Sequence, residues 1–172
     1  MGVIDFILNN GDPWLQYATR LNILSESKEQ LADLRLQVLS DPKIIGYLND
    51  ISDYHSILVR NHKDPELPIH KLLFLLDIGL DADVPEIQAA IDKIMANMDS
   101  NGVYKSLTNI PKHFGGSAED TFGWCLCDAP LLLYALLNID SSLLVLVVLT
   151  EWVQVSKTFT NIRRYTPVAS RN

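Results

Sequence analysis

Apolar residues recur along this chain at helical spacing, and the recurrences start and stop at recognisable signals. Asp12-Pro13 places a capping residue before a proline at the first helical position, and Trp14, Leu15, Ala18 and Leu21 follow. Ser27-Lys28-Glu29-Gln30 reads as a capping box opening a stripe of Leu31, Leu34, Val38 and Leu39. Asp41-Pro42 opens a helix with Ile44, Ile45 and Leu48. The turn-rich "NHKDPELP" leads into "IHKLLFLLDIG", a short apolar helix with Gly79 as its expected stop. Asp83-Val84-Pro85-Glu86 then opens a helix carrying Ile87, Ile91, Ile94, Met95 and Met98, which ends at Asn101-Gly102. Residues 103–127 show no clear period and are expected to form a long loop, of the kind that often carries function. Asp128-Ala129-Pro130 starts a helix to about Ile139, and Leu143 to about Val155 reads as another.

The pattern repeats. "LFLLDI" at 73–78 aligns with "YALLNI" at 134–139, an offset of 61 that also places Ile87 on Val148, Ile91 on Trp152, Ile94 on Val155 and Tyr104 on Tyr165. Leu-Asn-Ile appears again at 21–23. Each unit is a helix, a turn, a second helix and a loop ending in an aromatic. Such hairpins bury their apolar faces by stacking on neighbours.

Paired helices closed by "NGVY" at 101–104 resemble the prenyltransferase/squalene-oxidase repeat of α/α toroids. "GDPWLQYATRLNIL", "HKLLFLLDIGL" and "NIPKHFGGSAEDTFGWCLCDAPLLLYAL" are similar to a set of bacterial proteins known by that repeat. The resemblance is strongest over 12–139; residues 140–172 form a divergent tail, so the chain reads as a shortened member. It implies an all-α fold of stacked helical hairpins, a partial α/α toroid in a single domain over 1–172, with an apolar central cavity. It also implies chemistry of the terpenoid cyclase/prenyltransferase class, and here the signatures fall short. Asp81-Ala82-Asp83-Val84 lacks the last residue of the cyclase Asp-x-Asp-Asp acid. The prenyltransferase zinc pair is Asp-x-Cys with a distant His, whereas this chain has Cys125-Leu126-Cys127-Asp128 and no His downstream.

Composition narrows the choice of partner. The 172 residues are 48% hydrophobic and 20% charged, which is globular, and the net charge of −7 argues against nucleic acid. Residues 1–150 carry −10 and residues 151–172 carry +3. Two cysteines one residue apart are no secreted disulfide framework, so reduced thiols and a cytoplasmic setting are expected. "MGVIDFILNN" has no basic segment before its apolar run and does not read as a signal peptide. The apolar stretch 129–149 is cut by Asn138, Asp140, Ser141 and Ser142, which favours two buried helices over a membrane span.

Candidate chemistry clusters at 104–128. Cys125 and Cys127 could hold zinc with His113 and Asp120, but structural zinc sites usually use two Cys pairs with wider spacing. Buried core thiols are the expected state, and no cofactor is favoured. Asp128 stands before a helix-starting proline, so it is a cap first and an acid or ligand second. Tyr104, Phe114, Phe122 and Trp124 form either an aromatic wall for an apolar ligand or simple loop packing. Glu119 and Asp120 argue against a phosphate loop at Gly115-Gly116-Ser117. His70 starts an inner-type helix, while His55 and His62 sit in polar surroundings. The ligand-binding set expected is therefore Tyr104, Phe114, Trp124, Cys127, Asp128 and His70, with Asp128 and His113 the candidate catalytic groups. Two functions compete: a binder of an apolar, isoprenoid-like small molecule, and a non-catalytic helical interaction module that pairs with a partner or as a homodimer. A zinc protein is third.

Overall fold

Proline at the first helical position sets the start of four helices, because its fixed φ suits a helix and its missing N–H has no partner there anyway. These are α2 (Pro13–Asn22), α4 (Pro42–Ser52), α5 (Pro68–Asp77) and α6 (Pro85–Ala96). Three more helices, α1 (Val3–Asn10), α3 (Ala32–Leu39) and α7 (Ala129–Ile139), complete the helical set among the described residues. The structure is a computed structural model and describes residues 2–54, 57–59, 63–100, 102–123 and 127–139. The expected helix at 143–155 and the repeat positions Val148, Trp152, Val155 and Tyr165 lie outside them, as do His55 and His62.

The capping box at Ser27 forms, with Ser27 N–H donating to Gln30 Oε1 at 2.9 Å and Gln30 N–H to Ser27 Oγ at 3.4 Å. It closes a turn rather than opening the helix, and α3 begins only at Ala32. Gly79 ends α5 as expected. Its φ is +97°, Leu80 N–H bonds back to Leu75 O at 3.1 Å and Gly79 N–H to Leu76 O at 2.9 Å. That pair of bonds is a Schellman motif, and the residue it leaves in the left-handed region is glycine.

Helices pack on neighbours and on the helix two further along: α4 against α5 and α6, and α5 against α7. The core runs through Tyr17, Ile44, Leu48, Leu72, Leu75, Ile87, Ile94, Leu132 and Leu136. The first helices of the repeat keep its frame. Pro68 and Ala129, 61 residues apart, both open a helix, and α2 fits the same frame at an offset of 55, Pro13 to Pro68 and Asn22 to Asp77. The three helices are tied at one level: Asn22 Nδ2 donates to Asp77 O at 3.0 Å, and Tyr134 Oη donates to Asp77 Oδ1 at 2.8 Å. The starts of α5 and α7 line one cleft, so these two run in the same direction. Within the repeat, Lys71 and Leu132 occupy equivalent positions and both are buried. Lys71 is held by Asp50 at 2.6 Å and Glu66 at 2.7 Å.

The long loop expected at 103–127 is instead built on an antiparallel hairpin, so the fold is mostly helical with a small sheet. Strand β1 (Ser106–Asn109) pairs with β2 (Asp120–Gly123) in the register Ser106 to Gly123, Leu107 to Phe122, Thr108 to Thr121 and Asn109 to Asp120. Asn109 Nδ2 donates to Asp120 Oδ1 at 2.7 Å. The inward positions of β1 are Ser106 and Thr108, both buried, while Leu107 between them is half-buried. Polar residues on the buried face invert the usual alternation, which is why the pattern does not announce a strand. Val59 N–H adds to the edge by donating to Leu107 O at 2.9 Å.

Candidate functional site

The hairpin, the 57–59 segment and the starts of α5 and α7 meet in a cleft lined by Tyr54, Ile57, Val59, Leu67, Pro68, Ile69, Ser106, Leu107 and Asp128. It encloses about 310 Å³ including its open mouth. Its closed part has room for about one water molecule.

Asp128 is the polar centre of this cleft. Its backbone carbonyl accepts the first helical bond of α7, from Leu132 N–H at 2.9 Å, so it holds the cap position expected. The residue is only 3% exposed. Tyr54 is buried beside it, and its hydroxyl is pushed well above the ordinary tyrosine range, first by burial and then by the Asp128 charge. Tyr54 therefore stays a protonated donor at every working pH. A buried carboxyl group beside a protonated tyrosine hydroxyl can hold a water or a small polar group.

The other candidates do not gather here. Tyr104 is buried in the core and bridges to Met98, while Phe122 on β2 is 42% exposed. Neither lines the cleft, so these two rings make no shared wall there. His70 is half-exposed on the first turn of α5, and His113 is exposed in a short 3-10 turn at Lys112–Phe114. Phe114 lies in that turn, and its side chain is outside the description, as are Trp124 and Cys125. Cys127 is exposed and not the core thiol expected, because it precedes the helix entrance on its solvent side. Among the described residues no group of three or more His, Cys, Asp or Glu could hold a metal ion, and no helix is long and apolar enough to cross a membrane.

Asp81 and Asp83 have a structural occupation. Asp81 pairs with Lys28 and Asp83 with Arg35, which locks the link after α5 to the region around α3. Burial works to raise the Asp81 pKa, but hydrogen bonds with Asp83 and Lys28 outweigh it and hold the carboxyl at about 2. Asp83 is raised, chiefly by its hydrogen bond to Asp81. Tyr17 is fully buried among the charges of this lock, and its hydroxyl is a buried polar atom with no hydrogen-bond partner among the described residues.

One group of residues was not legible as a site from the sequence. Trp14 of α2, Tyr47 of α4 and Phe74 of α5 meet edge to face, with ring centroids 5.3 Å apart for Trp14–Phe74 and 5.4 Å for Tyr47–Phe74. The Lys43 ammonium sits over all three. No spacing links positions on three separate helices, so nothing in one chain's pattern marks them. Set against protein-family models, curated proteins and solved structures, the chain finds no significant match.

Proposed function

We propose that this protein is a helical-repeat interaction module, of the kind found in α/α toroids, that works by binding a second copy of itself rather than by catalysis. The register of α2, α5 and α7, tied at Asp77, supports the repeat reading and its resemblance to terpenoid cyclase/prenyltransferase repeats. The Asp81-x-Asp83 pair, closest to a cyclase acid, is engaged in ion pairs.

The observation that carries the binding reading is α1. Five of its eight residues are apolar and none is buried, with Val3 78% and Phe6 56% exposed. Asp5 is its only charged side chain, so two copies of the helix meet with much less repulsion than the net charge of −7 imposes elsewhere. The rival reading is a binder of an apolar, isoprenoid-like ligand; the cleft at Asp128, with room for about one water, does not by itself supply that site.

Native mass spectrometry and light scattering of the full chain, purified without chelator, test this. A dimer that Val3→Asp and Phe6→Asp convert to folded monomer is the expected result. A monomeric parent overturns it. A co-purified isoprenoid lipid on a monomer would favour the apolar-ligand reading, and one stoichiometric zinc lost on Cys127→Ser would favour the zinc reading.

A further inference from the structure

We propose that Trp14, Tyr47 and Phe74 form a recognition cage for a quaternary ammonium group, with Lys43 as its resident stand-in. The geometry carries this. Phe74 is the floor, and Trp14 and Tyr47 each stand steeply against it, at 65° and 85°. The Lys43 Nζ lies 4.6 Å from the Trp14 centroid, 5.1 Å from Phe74 and 5.8 Å from Tyr47. Each distance is within cation–π range, because the faces of the rings carry the negative part of their quadrupole.

The position of Lys43 shows that the cage, rather than its own helix, holds the ammonium. Lys43 is the second residue of α4, at the positive end of the helix dipole, where a cation is disfavoured. It makes no ion pair among the described residues and remains exposed. An exposed, unpaired lysine on a flexible stem is readily displaced.

Charge around the cage favours a cation over a neutral guest. Lys71, 5.6 Å from the Tyr47 centroid, is bracketed by the carboxylates of Asp50 and Glu66. Two carboxylates against the Lys71 ammonium leave one negative charge beside Tyr47, which Lys43 balances and which a guest cation would balance in Lys43→Ala. A methylated ammonium suits the site better than the lysine, since it is more weakly hydrated and its methyl groups pack on the rings. The cage is built from α2, α4 and α5, apart from the α1 surface, so this inference does not rest on the proposed self-association.

The test uses the full chain as parent and as Lys43→Ala, titrated with choline chloride and, separately, with its uncharged isostere 3,3-dimethyl-1-butanol. Backbone amide chemical shifts along α4 report binding, a probe that is present in every variant. Lys43→Ala is expected to bind choline about 2- to 5-fold more tightly than the parent, the worth of one exposed cation–π contact. The alcohol is expected to bind several-fold more weakly than choline. Trp14→Leu and Phe74→Leu, each placed in the Lys43→Ala background and checked for helicity, should abolish saturation. No saturable shift in Lys43→Ala, or equal binding of the alcohol, overturns the proposal. Retention of choline binding in both ring variants also overturns it. Sedimentation of Lys43→Ala with phosphatidylcholine vesicles identifies a lipid headgroup as the source of the ammonium; choline binding without sedimentation identifies a free ion.

Discussion

Replacing Gly79 with alanine probes the contact between α2 and α5 on which the repeat depends. Gly79 sits at φ +97°, and a Cβ built there falls 2.2 Å from Leu21 Cδ2 and 3.4 Å from Tyr17 Cε1. Two costs combine. The left-handed conformation disfavours alanine by about 1–2 kcal/mol. Overpacking against Leu21 adds about 1–3 kcal/mol, less where the side chain gives way. The reduced entropy of the unfolded chain offsets about 0.4–1 kcal/mol of this. The net expectation is a loss of about 2–3 kcal/mol, or about 4–12 °C in Tm for a domain of this size. Urea unfolding followed by far-UV circular dichroism measures it. A Leu21→Ala background separates the two costs, because the atom that clashes is gone. There Gly79→Ala should cost only about 1 kcal/mol, the conformational part. An equal cost in both backgrounds, or a cost below about 0.5 kcal/mol in the parent, refutes the packing argument.

Two further predictions concern the charged lock. A depressed carboxyl contributes stability that is present above its unfolded pKa and lost as pH falls through its folded one. For Asp81 that window runs from 3.8 down to about 2. Asp83, being raised, acts with the opposite sign and softens the slope. Asp81→Asn should therefore be less stable than the parent near neutral pH, with the two denaturation curves converging towards pH 2; parallel curves throughout would rule the linkage out. Tyr17→Phe removes a buried hydroxyl with no hydrogen-bond partner among the described residues and should leave stability unchanged or raise it by about 1 kcal/mol in urea unfolding. A loss of that size would mean that the hydroxyl is bonded.

Helix starts were legible because their signals are local. Pro13, Pro42 and Pro85 each mark one, Asp128 marks another, and Gly79 marks a stop, all within a few residues of the turn they control. The hairpin was not legible, because Ser106 and Thr108 face inward and hydrophobic period is blind to buried hydroxyls. Helix α3 starts later than its capping box suggests, because a capping box satisfies a turn as well as a helix. The candidate site divides the same way. Asp128 was readable as a cap from its own neighbours. Its pairing with Tyr54, the Lys28–Asp81 and Arg35–Asp83 locks, and the three-ring cage each join residues from separate elements, and no local signal encodes such meetings.

The equivalence of Lys71 and Leu132 bears on how the repeats could be used. At equivalent positions of α5 and α7 the chain buries an ammonium-bearing side chain in one helix and a methyl-tipped one in the other. The ammonium is tolerated because Asp50, on α4, and Glu66, just before α5, reach it. Leu132 needs no such supply. A tandem array built by copying the first unit would strand a charge wherever its acidic neighbours were not copied too, and an averaged consensus would erase the difference. The units are alike in register but not interchangeable, and each carries the imprint of its own place in the stack.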